Sequence, residues 1–147
     1  MSQEKIRLGF RRHAALAQFH RWYQVYENTA STVDKVIDAL AIDVTIKPGL
    51  DEAKGHDAYR QREAQLPKTW KKTHFPRNIR ITPHADGATE LITDLTYLNI
   101  GMKPDVVRSS ELTYALALKN SDTVLPNISN VLIAQNSEGT APAYKDG

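Results

Sequence analysis

The chain has 147 residues, enough for one domain with a substantial core. Its 19 Lys and Arg against 17 Asp and Glu leave a net charge of +2, too balanced for a dedicated nucleic-acid binder, and the lack of cysteine excludes disulfides and thiolate metal sites. The opening Met-Ser-Gln-Glu-Lys-Ile-Arg lacks the apolar core of a signal peptide and no apolar run is long enough to span a bilayer, so a soluble cytoplasmic protein without a membrane partner is expected.

Gln3 to about Asn28 reads as one long helix, because Leu16, Phe19, Tyr23 and Tyr26 recur at three- and four-residue steps. Phe10, Ala14 and Ala17 widen the apolar stripe, which suits packing against a sheet. Leu16, His20, Tyr23 and Glu27 fall on one line of this helix, a mixed line that can border a pocket. Ser31 or Thr32 is a candidate cap for a second helix, with Asp34 in its first turn and Val33, Val36, Ile37 and Leu40 as its stripe, ending near Ala41. Val44-Thr45-Ile46 follows as a short strand closed by Lys47-Pro48-Gly49, and Leu50 to Gly55 as a charged loop. A third helix is expected from Asp57 to about Leu66, stopped by Pro67. Trp70 to Arg77 carries several cations and two aromatics and reads as a solvated surface cluster.

Asn78 to Thr82 reads as a strand, His84-Ala85-Asp86-Gly87 as a turn, and Ala88 to Ile100 as a long return strand; Asp-Gly between two β-rich runs is a strong hairpin signal. The return strand carries Leu91, Leu95 and Tyr97 on one face and Ile92, Leu98 and Ile100 on the other, so both faces are at least partly covered. That pattern suits a curved sheet with helices on one side and a cavity on the other, with His74 at the entrance of the hairpin. After a turn at Gly101 to Asp105, Val106 to Leu118 alternates large residues (Leu112, Tyr114, Leu116, Leu118) with small ones (Thr113, Ala115, Ala117), and the small face is expected to leave room for something or to accommodate a closely packed helix. Asn120-Ser121-Asp122 turns the chain, Ile128 to Gln135 is the last strand, and the polar tail from Asn136 is expected to be loose. No Gly-rich phosphate loop, Gly-x-Ser-x-Gly elbow or metal-ligand spacing occurs.

Helices followed by long antiparallel strands define an α+β fold in a single domain. The order resembles the SnoaL-like, or nuclear-transport-factor-2-like, superfamily, from Gln3 to about Gln135. That resemblance implies three helices from the N-terminal half packed on a strongly curved, mainly antiparallel sheet, forming a cone with an internal pocket. It also implies a homodimer through the sheet. Arg21-Trp22-Tyr23 looks like the position of the catalytic tyrosine of ketosteroid isomerases, and Val44 to Gly49 looks like the strand that ends in their Asp-Pro pair. Here Lys47 stands in place of that aspartate, and a cation takes a proton only if burial lowers its pKa substantially, so steroid-type isomerisation is disfavoured. Asn130 or Val131 occupies the place of the family's oxyanion-stabilising acid.

Thr73 to Ile81 is similar to the His-containing strand entry of the scytalone dehydratase and hexachlorocyclohexane dehydrochlorinase branch. There a histidine acts as general base, oriented by an aspartate at the end of the first helix. The resemblance puts His74 on that base and Glu27, or its neighbour Asn28, on the partner. It implies His74 as base, Glu27 as orienter, Tyr23 and Lys47 as polarisers of a developing oxyanion, and Asn78 and Asn130 as substrate contacts. The reaction implied is elimination, dehydration or isomerisation of a small apolar molecule, with no metal or organic cofactor. The alternative is a non-catalytic ligand-binding or dimerisation module of the same fold.

Overall fold

The computed structural model describes residues 2–28, 33–48, 52–65, 70–101, 106–120 and 124–142. The cap expected from Ser31 or Thr32, the Gly49 turn, the Pro67 stop, most of the 101–105 turn and residues 121–122 lie outside this set. The first helix, α1, spans Gln3–Glu27. Ser2 caps it, its Oγ accepting from the Lys5 N–H at 3.2 Å, and the Asn28 N–H closes it on the Gln24 and Val25 carbonyls. Helix α2 is only Val33–Ile37, shorter than its apolar stripe suggested. Ala39 is drawn into the sheet instead, its carbonyl accepting from Ile128 N–H at 2.9 Å. Strand β1 therefore spans Leu40–Pro48, well beyond the expected core of Val44 to Ile46. The charged loop contains a two-residue strand, β2 (Ala53–Lys54), and α3 covers Gly55–Ala64.

Strands β3 (Lys71–Pro83), β4 (Thr89–Ile100), β5 (Val106–Lys119) and β6 (Asn127–Pro142) complete a six-stranded sheet in the order β2-β1-β6-β5-β4-β3. Only the β1–β6 pairing is parallel, and the sheet is open, with β2 and β3 at its edges. The hairpin turn behaves as its Asp-Gly predicts: Gly87 sits at φ 91°, His84 N–H donates to Ala88 O at 2.8 Å, and Ala88 N–H donates to Asp86 Oδ1 at 2.9 Å. Among the described residues, four irregularities accompany the bending of the sheet into a cone, the first in the β1–β6 pairing between Leu40 and Thr45. Another lies in β3 between Arg77 and Arg80, where Asn78 adopts φ 53°, and two lie in the β5–β6 pairing next to Leu112 and Leu118.

Two boundaries differ from expectation for identifiable reasons. The strand expected from Asn78 begins seven residues earlier, at Lys71. That segment read as a solvated surface cluster, but β3 is an edge, where charged side chains and the missing N–H of Pro76 are tolerated. The polar tail expected to be loose from Asn136 instead continues β6 to Pro142, in register with Val106 to Glu111 of β5. Its polar side chains are exposed, and the ladder hydrogen bonds hold it; residues 143–147 lie outside the described set.

The core lies between α1 and the concave face of the sheet. Phe19, Leu91, Leu95, Leu116, Leu118, Ile128 and Val131 are fully buried there. Gln18, equally buried, satisfies its amide by donating from Nε2 to Pro126 O at 2.8 Å. The large side chains of β5 face this core, and the small ones face outward. The small face is thus neither the cavity side nor the side on which the helices pack, so both readings of that alternation give way. Nor does the cavity lie across the sheet from the helices; it sits between them and the sheet.

Candidate functional site

Trp22, Tyr23, Tyr26 and Glu27 lie at three-, four- and five-residue separations along the last turns of α1, on the side that meets β3. Glu27 is the terminal helical residue, and its Oε1 accepts from His74 Nδ1 at 2.8 Å and also from the His74 backbone N–H. The edge position of β3 explains the second bond, since alternate N–H groups of an edge strand have no partner strand to meet. A carboxylate oxygen only accepts, so Nδ1 carries the proton, and in the neutral ring Nε2 is the basic nitrogen. Nε2 has no hydrogen-bond partner among the described residues. The His74 side chain is 3% exposed and that of Glu27 20%. Of the two partners left open by the sequence, Glu27 is the one in contact.

His74 lines a cavity of about 220 Å³. Five of the chain's six tyrosines and both of its tryptophans line it as well. The Tyr97 ring lies 5.0 Å from the imidazole, Tyr23 5.5 Å, Tyr26 5.9 Å and Tyr114 6.2 Å. Ile46, Leu112 and Ile133 close the apolar floor, and Arg62 and Glu63 of α3 enter from the opposite side. Burial pushes the phenols of Tyr26, Tyr59, Tyr97 and Tyr114 up, which keeps them protonated and able to donate. Tyr23 is also raised, first by burial and then by the charge of Glu27. Its hydroxyl is already engaged by His20 Nδ1 at 2.6 Å.

The remaining predicted site residues are not brought to the cavity. Lys47 is exposed, because Ile46 points inward and the strand alternates; it borders a shallow depression on the outer face with Thr113, Ala115 and Leu132. Asn78 sits on the exposed bulge of β3, its Nδ2 donating to Asp94 Oδ2 at 3.5 Å. Asn130 is paired with Thr45 and Ala117 between neighbouring strands, one residue out of phase with Val131 and Ile133, which face inward. Conversely, Tyr26, Tyr59, Tyr97, Tyr114, Trp22, Trp70, Arg62 and Glu63 line the cavity without having been assigned to the site. Tyr97 and Tyr114 did carry a signal, since each shares a strand face with core leucines.

Lys72, from the segment that read as solvated, places Nζ 3.8 Å over the Tyr26 ring. Burial lowers its pKa, opposed by Glu63; burial raises the Glu63 carboxyl, opposed by Lys72 and Arg62. A carboxyl raised in the folded state costs stability above its folded pKa and nothing below its unfolded one, about 4.3. Glu63→Gln is therefore expected to raise the melting temperature at neutral pH, with the gain vanishing as pH falls below that value in thermal scans. Among the described residues no group of three or more His, Cys, Asp or Glu could hold a metal ion.

An open, bent α+β sheet with three helices over its concave face, and a cavity between them, is the nuclear-transport-factor-2-like (SnoaL-like) cone fold. Solved structures agree. An aromatic ring hydroxylase, provisionally so named, from Novosphingobium aromaticivorans superposes with TM-score 0.77 at 12% identity, over 90% of this chain and 93% of that one. A type 2 hexachlorocyclohexane dehydrochlorinase gives 0.70 at 13%, over 89% and 91%. A provisionally named scytalone dehydratase from N. aromaticivorans gives 0.69 at 13%, over 87% and 83%. No protein-family model and no curated protein matches the sequence.

Proposed function

We propose that this protein is a small-molecule-binding member of the fold acting as a cofactor-independent lyase or isomerase, with His74 as general base. The observation that carries the reading is the Glu27–His74 hydrogen bond at the wall of an aromatic cavity. Glu27 fixes the tautomer and would stabilise the imidazolium formed when Nε2 takes a proton from carbon. The neutral phenol of Tyr97, whose ring lies against the imidazole and whose oxygen accepts from Asn99 Nδ2 at 3.1 Å, is a candidate donor for a developing oxyanion. The names of two superposable structures, a dehydrochlorinase and a scytalone dehydratase, are those of elimination enzymes.

A carbon acid of generic shape tests this without knowledge of the natural substrate. In nitrobenzisoxazole, a base removes the ring C–H proton, the N–O bond breaks and a coloured cyanonitrophenolate forms. The native chain should accelerate this opening and the His74→Ala chain should not. Equal rates would leave a non-catalytic binding module of the same fold.

The homodimer belongs to the same proposal. The outer face of the sheet exposes Phe75, Ile100 and Leu132 beside the small side chains of β5, a surface that a second copy would cover. Sedimentation equilibrium should give a dimer, and Leu132→Asp a monomer; a monomeric native chain would rule the dimer out.

A further inference from the structure

We propose that the cavity takes a planar aromatic acid, whose carboxylate is held by the guanidinium of Arg62. This deepens the reading of the His74 cavity as a ligand site, on which it rests. Tyrosine, tryptophan and histidine rings form most of the wall, and such rings favour flat π-systems by stacking and edge-to-face contact. The volume of about 220 Å³ lies below the range of about 300–1,000 Å³ for larger ligands, which limits the guest to a small ring system.

Arg62 supplies the polar specificity. It is half-buried, lines the cavity from α3, and its guanidinium makes no hydrogen bond or ion pair within 4.0 Å to any described residue. Its charge opposes the rise that burial imposes on the phenols of Tyr59 on α3 and Tyr114 on β5, both of which line the same cavity. A guanidinium without a hydrogen-bond partner among the described residues, at an aromatic wall, is matched by a carboxylate, which it can grip with two parallel N–H bonds. Glu63 is an acidic group beside it. Facing Glu63 are Arg62 and Tyr59 on α3, Lys72 on β3, Tyr26 on α1 and Tyr97 on β4. Two cations thus stand against a carboxyl whose ionisation burial already disfavours. A carboxylate held by Arg62 would direct its rings toward Tyr114, and Tyr114 adjoins His74.

Both tryptophans line the cavity, so intrinsic fluorescence reports occupancy. The full-length chain is titrated with cinnamate and with its neutral isostere cinnamamide, exciting at the red edge of tryptophan absorption. The native chain should bind the acid about tenfold or more tightly than the amide, the scale of one charge-assisted hydrogen-bonded pair. Arg62→Gln should lose that preference, and Arg62→Lys should keep part of it. Equal affinities in the native chain, a preference surviving in Arg62→Gln, or no saturable quenching by either probe would overturn the proposal. The acid–amide comparison in the native chain needs no variant to fold. Failure of the base assignment reads out elsewhere, as equal ring-opening rates in native and His74→Ala chains while the native chain still discriminates acid from amide.

Discussion

His74→Ala is expected to lower the rate of nitrobenzisoxazole opening by about 10²–10⁴-fold, the usual contribution of a positioned general base. The fold should survive, because the backbone N–H of residue 74 still donates to Glu27 and the carboxylate is not left without a partner. The same reasoning orders the Glu27 variants. Glu27→Gln retains an oxygen that accepts from Nδ1 but has no charge to stabilise the imidazolium, so its rate should fall between native and His74→Ala. Glu27→Ala strands two donors of His74, the ring Nδ1–H and the backbone N–H, and should also cost stability, about 1–3 kcal/mol for each donor left buried and unpaired. Circular dichroism separates loss of rate from loss of fold. A Glu27→Gln chain as fast as the native one would show that the carboxylate only shapes the cavity wall.

Phe19→Ala should destabilise the protein by about 3–5 kcal/mol, a large part of the 5–15 kcal/mol or so available to a domain. Phe19 is fully buried at the centre of α1, its ring 5.0 Å from that of Tyr23, within the cluster that contains Leu91 and Leu95. Removing it opens a hole beneath the wall of the cavity, since Tyr23 also touches His74. Urea denaturation should show a lower midpoint with an unchanged slope. Phe10 is the control. It lies on the same helix and belonged to the stripe read from the sequence, but it is 58% exposed, and Phe10→Ala should change stability by no more than about 0.5 kcal/mol. Equal losses at the two positions would contradict the packing described.

The contrast between Phe19 and Phe10 shows what local pattern can and cannot reveal. Three- and four-residue recurrence identified α1 almost to its ends, and Asp86-Gly87 identified the β3–β4 turn, because helix period and turn chemistry are properties of neighbouring residues. The alternation in β5 was equally visible. Which of its faces looked inward was not, and the large side chains proved to be the ones that bury. Lys47 was misplaced for the same reason, since only the pairing of β1 with β6 settles which side of the sheet each residue occupies.

Length, charge balance, the α+β order and a histidine at the mouth of a hairpin were all determined by the amino-acid sequence alone. The extension of β3 back to Lys71 and of β6 on to Pro142 was not, because cationic and polar segments become strands only when a neighbouring strand supplies their hydrogen bonds. The cavity itself was decided by tertiary structure. Glu27 and His74 are 47 residues apart, and the tyrosines that surround them come from α1, α3, β4 and β5. Contacts of that range depend on how far the irregularities in strand pairing bend one sheet over a helix, a geometry that no single stretch of the chain contains.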